Sequence, residues 1–255
     1  MRLRIEAEGP DAAITDEATG RRVPLHSPAG FDLISALWLK VGWNERYSYN
    51  FTWLGRPIIQ LPEDIVRVQE AIWATRPTLI IETGVAHGGS LVLYASLLRL
   101  LGGGRVIGID REVRPQNRAA IAAHPLAPMI ALVDGSSTDP AVVARVRALI
   151  GPQDRVMVVL DSNHSYQHVS AELSAYAPLV SVGCFAIVCD GVMAEVADTP
   201  RGQPGWKHDN PARAAADFVA ANPAFAIEAS PQPFCESAPI AVPTYWPRGY
   251  LRRIR

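Results

Sequence analysis

The stretch LIIETGVAHGGS, residues Leu79 to Ser90, is the one around which the rest of the chain is organised. Three apolar residues, Leu79, Ile80 and Ile81, run into the acid Glu82. Gly84, Gly88 and Gly89 then make a turn, and Ser90 heads a long apolar run. The pattern predicts a strand, a sharp turn and a helix start. Glycines suit such a turn because they allow positive φ and let a ligand come close where no Cβ stands. The helix behind it offers unpaired N–H groups and a positive dipole end. The stretch reads either as an ordinary strand-to-helix turn or as a loop for a nucleotide-type cofactor.

Moving outward, the same unit recurs. RVIGI ends at Asp110, MIALV at Asp134, RVMVVL at Asp161 and GCFAIVC just before Asp190, with helical patterns between them. Apolar strands without polar alternation are buried on both faces, as in a parallel sheet covered by helices. An α/β fold with an open, doubly wound sheet is the economical arrangement. Upstream, EDIVRVQEAIWATR predicts a helix with Pro62 at its first position and Glu63 and Asp64 in its first turn. FDLISALWL, from Phe31, predicts another. The aromatic run from Trp43 to Trp53 has mostly two-residue spacing, which suggests an extended segment that either packs the amino-terminal arm or forms a substrate or subunit contact. Residues 1–30 read as an irregular or hairpin-like arm. After Asp190, a Gly, Pro and charge-rich stretch suits a mobile lid, and FAIEA, APIAV and GYLRRI suit short closing strands.

With 255 residues, the chain fits one large α/β domain with extensions. A formal charge of -1, from 24 basic and 25 acidic residues, argues against a general nucleic-acid or membrane-surface binder. Three cysteines with no zinc-like spacing fit a reducing cytoplasm. The start resembles no signal peptide, and no long apolar run suggests a membrane span.

In an open parallel sheet, ligands bind beyond the carboxyl ends of the strands. Glu82, Asp110, Asp134, Asp161 and Asp190 all fall on that edge. Asp134 is as well explained as a helix cap. Asp110, at the end of the second strand, can accept ribose hydroxyls, while neither GxxxxGK[ST] nor GxGxxG is present. Glu-x-Gly, a later Gly-Ser and a second-strand Asp together point to S-adenosylmethionine. Asp161 and Asp190, ending neighbouring strands, can share a hard divalent cation such as magnesium. His164 either takes a proton from a substrate hydroxyl or serves as a capping or supporting residue. His168 reads as a solvated or packing residue, and His87 as a cofactor-proximal residue without an assigned role.

The segments YNFTWLGRPIIQLPEDIVRVQEAI, ETGVAHGGSLVLYASLL, VIGIDR, LDSNHSYQHVSAEL and YAPLVSVGCFAIVCDG resemble the cephalosporin hydroxylase family, which includes rhamnosyl O-methyltransferases. The resemblance implies a class I methyltransferase, Rossmann-like fold: a mostly parallel seven-stranded sheet with helices on both faces. Residues 1–60 would be an amino-terminal extension and 61–255 the catalytic domain. The cofactor S-adenosylmethionine would lie against Glu82, Gly84, Ala86, His87, Gly88 and Ser90. Asp110, Arg111, Gly135, Ser136 and Asp161 would complete its site. A divalent metal, with magnesium favoured, would take Asp161 and Asp190. Cys189 stands where some members carry an acid, which leaves Glu195 or water as the substitute ligand. His164 and Asp161 would be catalytic. The implied acceptor is the hydroxyl of a sugar or glycosylated metabolite, in a chain that forms homo-oligomers through its amino-terminal region. Two other readings are an antibiotic-tailoring component of β-lactam type acting with a partner protein, and a cofactor-binding relative without activity.

Overall fold

The computed structural model describes residues 2–236 and 242–255. The chain opens with a three-stranded antiparallel sheet of β1 (Leu3–Glu6), β2 (Ala13–Asp16) and β3 (Arg22–Pro24), in which Ala13 and Ile14 are buried. Helix α1 (Pro28–Asn44) follows, with the Ser27 side chain accepting the Gly30 N–H. That cap satisfies one of the unpaired donors at a helix start.

The aromatic run is not one extended segment. Trp43 closes α1, Tyr47–Asn50 forms a single 3-10 turn, and the short hairpin β4 (Phe51–Trp53) and β5 (Arg56–Ile58) begins only then. Arg46, at φ 55°, makes the break, and the Asn50 amide donates back to the Arg46 and Tyr47 carbonyls. Such local side-chain bonds compete with an extended strand. Phe51, Trp53 and Ile58 join the main core.

Helix α2 (Pro62–Thr75) has its proline and acids where the sequence places them. The remaining elements are β6 (Leu79–Thr83), α3 (Gly89–Leu100), β7 (Arg105–Asp110), α4 (Pro115–Ala122), β8 (Ile130–Asp134), α5 (Pro140–Ala148), β9 (Val156–Leu160), α6 (Tyr166–Tyr176), β10 (Phe185–Val188), α7 (Pro211–Ala221), β11 (Phe225–Glu228) and β12 (Tyr250–Arg253). The expected seven-stranded sheet is present, in the order β11-β12-β10-β9-β6-β7-β8. Pairs β6–β7, β6–β9, β7–β8 and β9–β10 are parallel, and β12 runs antiparallel to both of its neighbours. Strand order reverses between β6 and β9, so the crevice for a ligand opens beyond Thr83 and Leu160.

Two apolar layers cover the sheet. One holds Ile80, Tyr94, Leu98 and Ile187; the other holds Ile81, Val158, Leu173 and Ala215. Residues 191–210 cross the strand ends in two short 3-10 turns, with Val192 and Val196 fully buried. The beginning of this stretch is therefore anchored in the core, whereas residues 198–209 are exposed or half-buried. Of the closing strands, FAIEA and GYLRRI contain β11 and β12, while APIAV, apart from Val242, lies outside the described residues.

Candidate functional site

The loop between β6 and α3 is held in shape by its own neighbours. Gly84 at φ 90°, Ala86 at φ 45° and Gly88 at φ 80° all adopt left-handed backbone. For alanine this conformation is strained and persists only where the surroundings impose it. The surroundings here are explicit. Asp110 Oδ2 accepts the N–H groups of Val85 at 2.8 Å and Ala86 at 3.3 Å. The Asn117 amide donates to the Ala86 carbonyl at 2.7 Å, and Arg56 donates to the His87 carbonyl from Nε at 3.2 Å and Nη2 at 2.5 Å. A Cβ on Gly84 would collide with the Asp161 carbonyl, so this glycine lets the loop touch the end of β9. His87 thus contributes its backbone to the clamp.

Glu82 lies inside β6 rather than past its end, and it is fully buried. Ser90 Oγ donates to Glu82 Oε2 at 2.6 Å and the Tyr94 hydroxyl donates to Oε1 at 3.1 Å. Burial pushes its proton affinity up to a pKa of about 8, against the pull of those two donors. Ser90 therefore joins the strand to the helix start through this acid.

Past Gly84 and Asp110 opens a cavity of about 520 Å³ that is also lined by Arg111, Ser136, Ser162 and His168. Gly135, at φ 132°, donates its N–H to the Asp110 carbonyl at 2.9 Å and turns Ser136 into this space. His168, read from sequence as a packing or solvated residue, sits on the cavity wall. Its Nε2 lies 3.1 Å from Ser137 Oγ and 3.2 Å from Ser162 Oγ, and Ser162 donates to the fully buried Glu172 at 2.7 Å. Asp134 takes no part: it is exposed and paired with Arg118 at 2.5 Å.

Asp161, His164 and Asp190 converge, with ligand atoms all within 4.8 Å of one another. His164 Nε2 lies 3.4 Å from Asp190 Oδ2. Helix α6 is capped by Ser165, whose side chain accepts the His168 N–H, so His164 is not the cap. Both acids hold their protons more tightly than usual. For Asp161 the causes are loss of water and then repulsion by Asp190; for Asp190 loss of water outweighs the opposing pull of His164. Two mutually repelling carboxylates beside an imidazole form a donor set suited to a hard divalent cation. Glu195 is outside this group; it follows the 3-10 turn Gly191–Ala194, and the charge acting on it is that of Lys40. Cys189 is fully buried in the layer that also holds Ile187 and Tyr250. Its thiol belongs to the core because alternate residues of a strand face opposite sides.

A second cavity, about 230 Å³, begins at His164 and Asp190 and is lined further by Trp43, Ser48, Arg201 and Tyr245. The cluster of acids thus borders more than one space: His164 and Asp190 line the smaller cavity, Asp161 lines a pocket of about 40 Å³ under the Gly84–Ser90 loop, and Ser162, next to Asp161, lines the larger cavity. A cavity of about 660 Å³ beside β11 and β12 contains none of Glu82, Asp110, Asp161 or Asp190.

The family profile described as rhamnosyl O-methyltransferase/CmcI matches residues 45–254. The chain belongs to this family. A rhamnosyl O-methyltransferase of Mycobacterium bovis is 31% identical over 141 residues, and one of Mycobacterium leprae is 29% identical over 141 residues. These matches cover 54% of this chain, with 56% and 59% of the respective relatives, so the chain spans little more than half the length of these relatives. Solved CmcI structures superpose with TM-score 0.55, the apo form at 20% identity and the form with Mg and SAM at 18%. They cover 81% of this chain and 77% and 78% of theirs. An O-methyltransferase from Bacillus cereus in complex with SAH gives TM-score 0.50 at 16% identity, covering 75% of this chain and 81% of that one. The chain therefore has the class I methyltransferase fold.

Family motifs alone do not reveal Arg56, Asn117 and Asp64. Asp64, in the first turn of α2, reads as a helix-dipole acid, yet it is buried and accepts the Thr244 hydroxyl and the Tyr245 N–H, the latter at 2.9 Å. Its partners lie about 180 residues away, which no local pattern encodes. Burial raises its pKa to about 7.

Proposed function

We propose that this chain is an S-adenosylmethionine-dependent O-methyltransferase that acts, with a divalent cation, on a hydroxyl of a sugar or glycosylated metabolite. The observation that carries this reading is the position of Asp161, His164 and Asp190 beside these cavities. The larger cavity, with Asp110 for ribose hydroxyls and Ser136 and His168 for the base, adjoins at Gly84 a pocket of about 40 Å³ lined by the Gly84–Ser90 loop and Asp161 that suits the amino-acid end, and the two together have the parts an adenosyl cofactor needs. The cavity at His164 and Asp190 holds the acceptor. When bound, the cofactor supplies an activated methyl group and the cation lowers the pKa of the acceptor hydroxyl.

The residues supply binding, orientation and a proton path. Asp161 and Asp190 hold the positive charge. In the tautomer that carries its hydrogen on Nε2, 3.4 Å from Asp190, His164 presents Nδ1 as the nitrogen with a lone pair and takes the hydroxyl proton there. The loop clamped by Asp110, Asn117 and Arg56 keeps the methyl donor in line with the acceptor oxygen. Family membership and the rhamnosyl O-methyltransferase relatives favour a sugar acceptor. Cys189 in the core is no missing ligand, which weighs against an inactive relative.

Calorimetric titration with S-adenosylmethionine, with and without magnesium, tests the reading, and absence of binding in both refutes it. His164→Ala assigns the imidazole: cation binding retained with turnover lost makes it the base, and cation binding lost makes it a ligand.

A further inference from the structure

The cavity of about 230 Å³ beside His164 and Asp190 has two polar groups on its wall with hydrogen-bonding capacity that the protein does not use. The first is Arg201, half-buried in the stretch after β10. Its Nη1 donates to the Trp43 carbonyl at 2.7 Å, and Lys40 of α1 pairs with Asp198 at 2.8 Å, so the guanidinium is tethered to the end of α1. A guanidinium carries five N–H donors in one plane. Among the described residues, no other hydrogen bond and no ion pair engages Arg201, although Asp190 lines the same cavity. The second is Ser48, in the 3-10 turn Tyr47–Asn50 and only 5% exposed. Its hydroxyl has no hydrogen-bond partner among the described residues, and it is not sealed off as the Trp43 Nε1 and Tyr245 hydroxyl are.

The charges around the cavity say what these groups suit. The pull that opposes loss of water at Asp190 is that of His164, whereas Arg201 acts on Tyr245. The guanidinium therefore stands apart from the acid. Asp64 and Glu63 also act on Tyr245, but neither lines the cavity. A divalent cation held by Asp161 and Asp190 would balance their two charges and leave the Arg201 charge on the wall without a counter-ion. Half-buried charges are normally paired. A carboxylate accepts two parallel bonds from a guanidinium, and a serine hydroxyl can add a third.

We infer that Arg201, with Ser48 as a further donor in the same small cavity, binds a carboxylate carried by the acceptor, while the acceptor hydroxyl faces Asp161 and Asp190. This rests on the methyltransferase reading above; with a sugar acceptor, the molecule is a uronic acid. A hydroxybenzoate presents the same carboxylate on a different ring. The experiment titrates two matched pairs into the full chain with magnesium, with and without S-adenosylhomocysteine: methyl β-glucuronide against methyl β-glucoside, and protocatechuate against catechol. One member of each pair carries the carboxylate. The proteins are the native chain, Arg201→Gln, which keeps a donor for the Trp43 carbonyl and removes the charge, and Arg201→Lys, which keeps the charge and loses the fork. In at least one pair the carboxylate member should bind the native chain about 10-fold or more tightly than its neutral twin. That preference should vanish in Arg201→Gln and survive in part in Arg201→Lys, with S-adenosylhomocysteine affinity unchanged in both. A preference in the first pair supports a uronic acid, and one in the second pair alone moves the carboxylate to an aromatic acceptor. A native chain with no preference in either pair or with no binding of any probe, or a preference that persists in Arg201→Gln, overturns the inference. A carboxylate preference in a chain that does not bind S-adenosylhomocysteine refutes the methyltransferase reading instead.

Discussion

The Asp110 carboxylate accepts the Val85 N–H at 2.8 Å, so the acid that ends β7 fixes the loop that leaves β6. The same carboxylate also accepts from Ala86 at 3.3 Å and Glu112 at 3.0 Å. The acid proposed here to receive a ribose thus uses part of its capacity to hold the neighbouring loop in shape. A carboxylate has about four lone-pair positions, which leaves room for both tasks. Asp110→Ala leaves all three N–H groups without their acceptor, and the expected loss of stability is about 1–3 kcal/mol. Thermal melts should fall by roughly 2–4 °C per kcal/mol for a chain of this size. S-adenosylmethionine affinity should drop at least about 10-fold, a 1.4 kcal/mol effect, by calorimetry. An unchanged melt would show that these bonds contribute nothing.

The cluster of Asp161 and Asp190 carries a second expectation. Without a cation, the two acids destabilise each other, since loss of water and mutual repulsion both raise Asp161. Asp161→Asn or Asp190→Asn removes that repulsion while keeping the shape. The metal-free variant should melt a few degrees higher than the native chain at neutral pH, as expected when one of two crowded, half-buried charges is neutralised. Added magnesium or manganese should stabilise the native chain and leave the variants where they are. Parallel melts with chelator and with metal provide the check, and a variant that melts lower than the metal-free native chain would remove the argument from repulsion.

Much of this site is legible in the sequence because it follows strand ends. A parallel sheet brings the acids after its strands to one edge, so Asp110, Asp161 and Asp190 can be placed from apolar runs and counting. Glu82 shows the limit: it is one residue inside its strand and faces Tyr94, so its partners, not its place in the order, define what it does. Asp64 and Trp43 show a second limit. Each acts through a contact with the segment around Tyr245, roughly two hundred residues on in the chain, and such pairings arise only when the core has formed. His168 shows a related limit, because helical spacing places it on α6 but does not say that α6 turns it toward Ser137 and Ser162.

Glu82 gives the chain a definite response to pH. Its folded pKa is about 8, raised from 4.5 by burial. The folded state therefore binds a proton that the unfolded state has already released at pH values between these two. Stability falls with rising pH wherever the native state holds more protons, so the contribution of Glu82 is complete below about 4.5 and lost as pH rises through about 8. Asp64, with a folded pKa of about 7, acts in the same direction. Glu82→Gln keeps an oxygen for Ser90 or Tyr94 and removes the titration. Cofactor-free melts across this window should fall with pH for the native chain and fall less for Glu82→Gln, with the residual slope reporting Asp64 and the Asp161–Asp190 pair. A variant whose melts track the native slope throughout would place the titration elsewhere.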